Sequence, residues 1–228
     1  MIKNLIHLFY PDLCVACGME VAPEGSPICL RCEVDLPLAL MPTGGQFVER
    51  VFWGRLPLTA AWAWLRFRKD NRARELMHAL KYGGNPKLVR AVGRRFGRDL
   101  QRLPGVQLPE VLVPIPLHPR KMRQRGYNQA EMIALGMSDV LQIPVEPRML
   151  VRVVHRSSLT RLSRVDRYEQ IRTGYGVRPS SPHLRAHVCL VDDVITTGAT
   201  IEVCGSLLLE TGVPYLSVAS LAYAEKMF

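Results

Sequence analysis

Apolar and polar positions along this chain follow two different periods. Ala73, Leu76, Met77 and Leu80 recur at the three-and-four spacing of a buried helix face, and Gly83-Gly84 stops the run. A second helix opens at Pro86, with Val89, Val92, Phe96 and Leu100 on one face and Arg90, Arg94, Arg95 and Arg98 on the other. Asn128 is placed to cap a third helix whose apolar positions include Met132, Ile133, Leu135 and Val140. Residues 200–211, closed by Gly212, form a fourth. Between these lie short apolar runs at 58–67, 111–115, 151–154, 187–192 and 215–222, which predict strands. The run at 111–115 has no polar alternation, as in a strand buried on both faces.

Strands that alternate with helices predict an α/β fold, a mainly parallel sheet flanked by helices. Pro37, Pro42, Gly44 and Gly45 interrupt the chain before it. Two units are therefore expected: an amino-terminal helix and cysteine-rich ribbon over residues 1–45, and the α/β domain over 46–228.

The four cysteines of the first unit stand as Cys14-Val-Ala-Cys17 and Cys29-Leu-Arg-Cys32, two C-x-x-C knuckles eleven residues apart. Each knuckle turns two thiolates toward one point, and four thiolates complete a tetrahedral zinc shell. Gly18 suits the tight turn after the first knuckle. Disulfides are the alternative, and they are disfavoured in a reducing compartment. A shell of four cysteines has no open position, so the expected zinc is structural, and it would stabilise a segment too small to fold alone. Whether the ribbon also docks protein or nucleic acid is left open by its residues. Cys189 and Cys204 fall on a strand and a helix and read as core thiols.

With 48% hydrophobic and 22% charged residues the chain is globular rather than disordered. Thirty basic against 20 acidic residues give a formal charge of +10, which favours polyanionic partners. No apolar run approaches the ~18 residues of a spanning helix. Residues 1–10 (MIKNLIHLFY) are interrupted by Asn4 and His7 and lack the features of a secretion signal. They are expected to form a short amphipathic helix on the ribbon, and the protein to be cytoplasmic, without a stable membrane span.

The strand at 187–191 runs into Asp192-Asp193-Val194-Ile195-Thr196-Thr197-Gly198-Ala199-Thr200 and then a helix. A strand, a small-residue loop and a helix start present N–H groups and a helix dipole to a phosphate. Gly198 lets the backbone come close, and the hydroxyls of Thr196, Thr197 and Thr200 add donors. Carboxylates repel phosphate but accept hydrogen bonds from ribose hydroxyls. Asp192 and Asp193 therefore point to a ribose 5-phosphate, with Mg²⁺ held chiefly by a diphosphate beside them.

The run VDDVITTGAT resembles the phosphoribosyl diphosphate signature of type I phosphoribosyltransferases. The whole chain resembles the ComF family, which is associated with DNA uptake in natural transformation. That family has a four-cysteine ribbon, a segment like Leu80-Lys81-Tyr82-Gly83, one like Val113-Pro-Ile-Pro-Leu-His-Pro followed by Arg125-Gly-Tyr-Asn-Gln129, and the phosphate loop last. All four occur here in that order. The resemblance implies the type I phosphoribosyltransferase fold, with Arg120, Lys121, Arg123 and Arg125 near the diphosphate, Lys81 facing the site, and Asp192 and Asp193 as its catalytic pair. It also implies a competence helicase or DNA-processing protein as a partner. The chain departs from the family pattern at Arg156 and Leu159, where a threonine and a glutamine are usual, and at Gln170, near an asparagine position. That region would recognise an acceptor base.

Eight arginines and two acids lie between Arg152 and Arg185, and four basic residues and no acid between Arg120 and Arg125. Such clusters release counterions on binding nucleic acid. One reading is a single-stranded DNA track using Arg123, Arg156, Arg161, Arg164 and Arg167, with Tyr127, Tyr168 and Tyr175 as stacking platforms. The other is a solvated face that serves a small anion. His118, His155, His183 and His187 lack metal-ligand spacing, and Trp53, Trp62 and Trp64 read as packing residues.

Two functions follow. One is a DNA-handling protein that binds phosphoribosyl diphosphate. The other is an active phosphoribosyltransferase that moves phosphoribose to an acceptor with release of pyrophosphate, by electrostatic stabilisation. A regulator that senses the diphosphate is a third, without a helix-turn-helix to read DNA.

Overall fold

The computed structural model describes residues 13–23, 26–40, 46–68, 72–153, 173–178 and 186–224. After the knuckles comes α1 (Leu30–Asp35), then α2 (Gln46–Glu49) running into a 3-10 turn (Arg50–Phe52). Then follow β1 (Ala60–Phe67), α3 (Arg72–Tyr82), α4 (Pro86–Gln101) and β2 (Val111–Pro114). Next are α5 (Pro119–Arg125), α6 (Gln129–Leu141), β3 (Leu150–Arg152) and β4 (Tyr175–Val177). The chain closes with β5 (His187–Ile195), α7 (Ala199–Glu210) and β6 (Tyr215–Ala224).

Four strands make one sheet in the order β1-β6-β5-β2, every pair parallel. Strand periodicity divides its side chains between two faces. Trp62, Trp64, Leu112, Cys189, Val191, Ala219 and Leu221 pack with α3, α4 and α6. Ala61, Ala63, Val111, Val113, Val188, Leu190, Leu216 and Val218 pack with α7 and the β3–β4 pair. Both faces are dry, so the sheet is covered by helices as expected, and Cys189 and Cys204 are core thiols with no exposed area. The outer edges are also covered. Ala39 N donates to Trp64 O and Arg66 N to Pro37 O beside β1, and Leu112 N donates to Pro144 O beside β2.

The structure moves several expected boundaries. The last two strands end at Ile195 and Ala224, later than their apolar runs. The parallel ladder carries on through Asp192↔Ser220, Val194↔Ala222 and Ile195↔Tyr223, so the acid pair lies in strand rather than loop. The basic stretch after β2 is a helix, α5, with His118 as N-cap and Gly126 at its left-handed end. Trp53 is 63% exposed, against the packing role read from the sequence, because the chain turns outward after Phe52. Trp62 and Trp64 are core, and Trp64 Nε1 donates to Asp99 Oδ2 at 2.9 Å.

Helices α4 and α6 meet almost backbone to backbone. A Cβ on Gly136 would stand 2.1 Å from Arg90 O, and one on Gly93 2.5 Å from Ile133 O. Arg90 Nε and Arg94 Nη1 then reach Asp139 Oδ2 at 2.8 and 3.1 Å, which holds the Asp139 carboxyl below its usual range. Arg95 pairs with Glu33 of the ribbon and with Asp99. Three of the four arginines on this helix face therefore act as structural clamps. Cys14, Ala16, Ile28, Cys29 and Cys32 share one apolar cluster with Trp64 and Leu76, so the ribbon is built onto the sheet's helical layer.

Candidate functional site

Alternation along β5 separates the two acids. Asp193 turns to the side of α3, where Lys81 Nζ lies 3.4 Å from its Oδ2. Asp192 turns to the side of Cys204 and Tyr175, and its Oδ1 accepts from Asp193 N at 2.8 Å. Burial, and then the neighbouring Asp193 charge, push the Asp192 carboxyl well above its usual range. A group in that position favours a ligand that brings a cation or hydroxyl donors.

Both acids line a cavity of ≈ 350 Å³. One wall comes from α5, whose Lys121 and Arg125 are one helical turn apart and both reach it, together with His118. Arg120 and Arg123 lie on the same helix but do not line the cavity. Burial, then the positive charges of Arg152, Arg120, Lys121 and Arg123, hold the His118 imidazole below its usual range. Asn128 caps α6 as expected, its Oδ1 accepting from Ala130 N, and its Nδ2 donates to Ile115 O at 2.9 Å. Tyr127 Oη donates to Leu80 O at 3.0 Å, which ties this turn to the end of α3 that carries Lys81.

Two lining residues were not read from the sequence as site residues. Gln129 is 3% exposed, and its Oε1 accepts from Arg125 Nη1 at 2.9 Å. Arg152, at the end of β3, stacks its guanidinium 4.1 Å above the ring of Tyr175 on β4. Gln129 Nε2 and Arg152 Nε are both buried without a hydrogen-bond partner among the described residues. Two orphaned donors in one cavity are costly unless a ligand accepts from them. Gln129 stood in the motif around Arg125, where only the cap at Asn128 was legible. Arg152 and Tyr175 are joined by a strand pair that no local signal announces.

That geometry corrects the stacking role expected of Tyr175 and Tyr127. Tyr175 is buried, and burial pushes its hydroxyl up to about 12. Tyr127 is half-buried and hydrogen-bonded. Tyr168, His155 and His183, and the DNA contacts expected at Arg156, Arg161, Arg164 and Arg167, lie outside the described residues, as do residues 1–10.

Above the acids, Thr196 and Thr197 are exposed and Gly198 opens α7 at φ 76°. Asp192, Val194, Ile195, Thr196, Thr197, Gly198, Ala199 and Thr200 together line a small adjoining recess. Thr200 lines the main cavity too, so the loop and the acids share one opening. The segment before β1 props the loop from behind. A Cβ on Gly198 would stand 2.8 Å from Phe52 Cε1 and 2.9 Å from Val51 Cγ1. Arg55 Nη1 donates to Val51 O and Thr197 O at 2.9 Å each, and Arg55 pairs with Glu202.

The sulfurs of Cys14, Cys17, Cys29 and Cys32 all lie within 4.8 Å of one another, with Cys17 and Cys29 4.0 Å apart. The edge of a tetrahedral zinc–thiolate shell is about 3.8 Å, from a Zn–S bond of about 2.3 Å. These four residues can therefore hold a metal ion. Backbone N–H groups of Glu20 and Met19 hold the Cys17 thiol down to about 7, while burial pushes Cys32 up. No helix among the described residues is long and apolar enough to cross a membrane.

No family model matches the chain. Relatives do. Competence protein F of Haemophilus influenzae is 28% identical over 97% of this chain and 95% of its own length. DNA utilization protein YhgH of Escherichia coli K12 is 25% identical over 90% of this chain and 88% of its own. Among solved structures, a glutamine phosphoribosylpyrophosphate amidotransferase from B. subtilis aligns at a TM-score of 0.45 and 18% identity, over 63% of this chain and 30% of that one. The match to the relatives runs nearly end to end, and the four-thiol ribbon, the basic helix and the acid-pair loop stand in the order expected from the resemblance to the ComF family, so the chain is similar over almost its whole length to proteins named for competence and DNA utilization.

Proposed function

We propose that the chain binds phosphoribosyl diphosphate with Mg²⁺ in the cavity at the end of β5 and acts as a cytoplasmic single-stranded-DNA-handling protein in DNA uptake. In this reading the Thr196–Thr200 backbone and hydroxyls take the 5-phosphate. Asp192 and Asp193 accept from the ribose hydroxyls. Lys121 and Arg125 face the diphosphate, with Lys81 beside them, and Arg120 adds to the field from outside the lining. Mg²⁺ would neutralise the diphosphate oxygens. Zinc would hold the ribbon through Cys14, Cys17, Cys29 and Cys32.

The observation that carries this reading is the pair of buried donors, Gln129 Nε2 and Arg152 Nε, without a hydrogen-bond partner among the described residues, in the cavity that also holds the acid pair. Such a mixed site suits a ligand that accepts at one end and donates hydroxyls at the other. The names of the relatives, which concern competence and DNA utilization, support the DNA-uptake part.

A thermal-unfolding series tests it. A ligand at 100 times its Kd stabilises by about 2.7 kcal/mol, or ~5–11 °C for a chain of this size. Phosphoribosyl diphosphate with Mg²⁺ should raise the Tm most, ribose 5-phosphate less, and ribose not at all. A Tm that none of them moves overturns the reading.

A further inference from the structure

Two exposed aromatic rings stand on segments that touch the site, and each carries an arginine. On the side of the phosphate loop stands Trp53, 63% exposed, with the Arg50 guanidinium 5.6 Å from its ring centroid. Its neighbours in sequence, Val51 and Phe52, are the residues against which Gly198 packs, and Arg55 holds the Thr197 carbonyl. Trp53 is thus fixed to the back of the loop by three contacts of its own short segment. The second is Tyr82, 65% exposed, the last residue of α3 and next to Lys81, which lines the cavity. The Arg125 guanidinium, which lines the cavity, lies 5.9 Å from the Tyr82 ring, and the His78 ring leans on it tilted by 44°, centroids 4.8 Å apart.

Large rings held in water by neighbouring side chains lose little freedom when a second flat group stacks on them. A sequence-tolerant site for single strands is built that way, from aromatic platforms beside phosphate contacts in a positive groove. Duplex DNA cannot use such a platform, because its bases are already stacked on one another.

We propose that Trp53 and Tyr82 are stacking platforms for single-stranded DNA, carried on segments that touch the phosphate loop and its cavity, so that the loop and its cavity form part of one strand track. This rests on the reading of the loop as a phosphate site and gives the DNA partner its contacts. A backbone phosphate of the strand sits in the loop, and the base on its far side lies on Trp53. Phosphoribosyl diphosphate and the strand then compete for one loop.

The test uses the full-length, metal-loaded chain and a dye-labelled oligothymidylate, read by anisotropy, with diphosphate binding read in parallel by calorimetry. Trp62 and Trp64 are buried, so quenching of tryptophan emission by the oligonucleotide reports Trp53. Trp53→Ala should lower single-strand affinity about 5- to 160-fold, the range for one lost base stack. Trp53→Phe should keep most of the affinity, and diphosphate binding should not change in either variant. Tyr82→Ala should lower single-strand affinity as well. A duplex of the same length should bind wild type and Trp53→Ala alike, and excess diphosphate should displace the single strand. Equal single-strand affinity in wild type and Trp53→Ala overturns the platform even where diphosphate binds. A wild type that binds oligothymidylate through Trp53 but gives no heat with diphosphate refutes the loop reading, and the shared track falls with it.

Discussion

Replacing Gly198 by alanine probes the joint between the phosphate loop and the segment that props it. Two costs add there. The residue has φ 76°, where an L side chain meets its own carbonyl, at about 1–2 kcal/mol. The new methyl would also stand 2.8 Å from Phe52 Cε1 and 2.9 Å from Val51 Cγ1. Overpacking of that kind costs about 1–3 kcal/mol. The sum is about 2–5 kcal/mol, or ~4–20 °C in Tm for a chain of this length.

Gly212→Ala is the control. Gly212 also has a positive φ, 95°, but a Cβ there meets nothing within 4 Å. It should lose only the strain, about 1–2 kcal/mol. The entropy that alanine removes from the unfolded chain is the same in both variants and cancels in the comparison. Urea unfolding measures the difference, which is the cost of forcing a methyl against Phe52 and Val51 and so reports how closely they back the loop. Equal losses in the two variants would refute the prop, and with it the placement of Trp53 beside the loop.

Three further outcomes follow from the same contacts. Stripping zinc with a chelator should lower the Tm and red-shift tryptophan emission, because Trp64 shares its apolar cluster with Cys14, Cys29 and Cys32; Cys32→Ser should do the same, and an unchanged spectrum would contradict a structural metal. Asp192→Asn should stabilise the ligand-free protein at neutral pH, since the folded state raises this carboxyl and its ionisation costs stability there. The gain begins as the unfolded carboxyl ionises near pH ~4 and grows until pH passes the raised folded value, so urea unfolding below pH ~4 should find no gain. Tyr127→Phe removes the hydrogen bond to Leu80 O and should cost about 0.5–1.5 kcal/mol while weakening diphosphate binding, because the end of α3 that carries Lys81 loses its tie.

Much of this was legible in the chain because it is local or periodic. The helix faces at Leu76–Leu80 and Val89–Leu100 announced themselves by spacing, and the thiol cluster by its doubled knuckle. The acid pair and phosphate loop were legible as a run of consecutive residues. Other features depend on pairings between distant segments. Arg152 meets Tyr175 through an antiparallel strand pair, and neither residue differs locally from any other arginine or tyrosine. Trp53 and Trp64 are the same residue type, each preceded by an apolar residue, Phe52 and Ala63. One is exposed and the other buried because a 3-10 turn ends before the first, whereas the second lies on the inner face of a strand. Strand ends also escaped hydropathy, since the parallel ladder carries β5 past its apolar run and through two carboxylates.

In the proposed function, the opening at the end of β5 holds phosphoribosyl diphosphate between the acid pair and the loop. Calorimetric titration of phosphoribosyl diphosphate with Mg²⁺ into the zinc-loaded wild type and into Asp192→Asn/Asp193→Asn decides whether it does. The wild type should bind at micromolar concentration and the variant should not, while the variant still unfolds in one cooperative step. No heat from the folded wild type, or equal binding by both proteins, would contradict the proposed function.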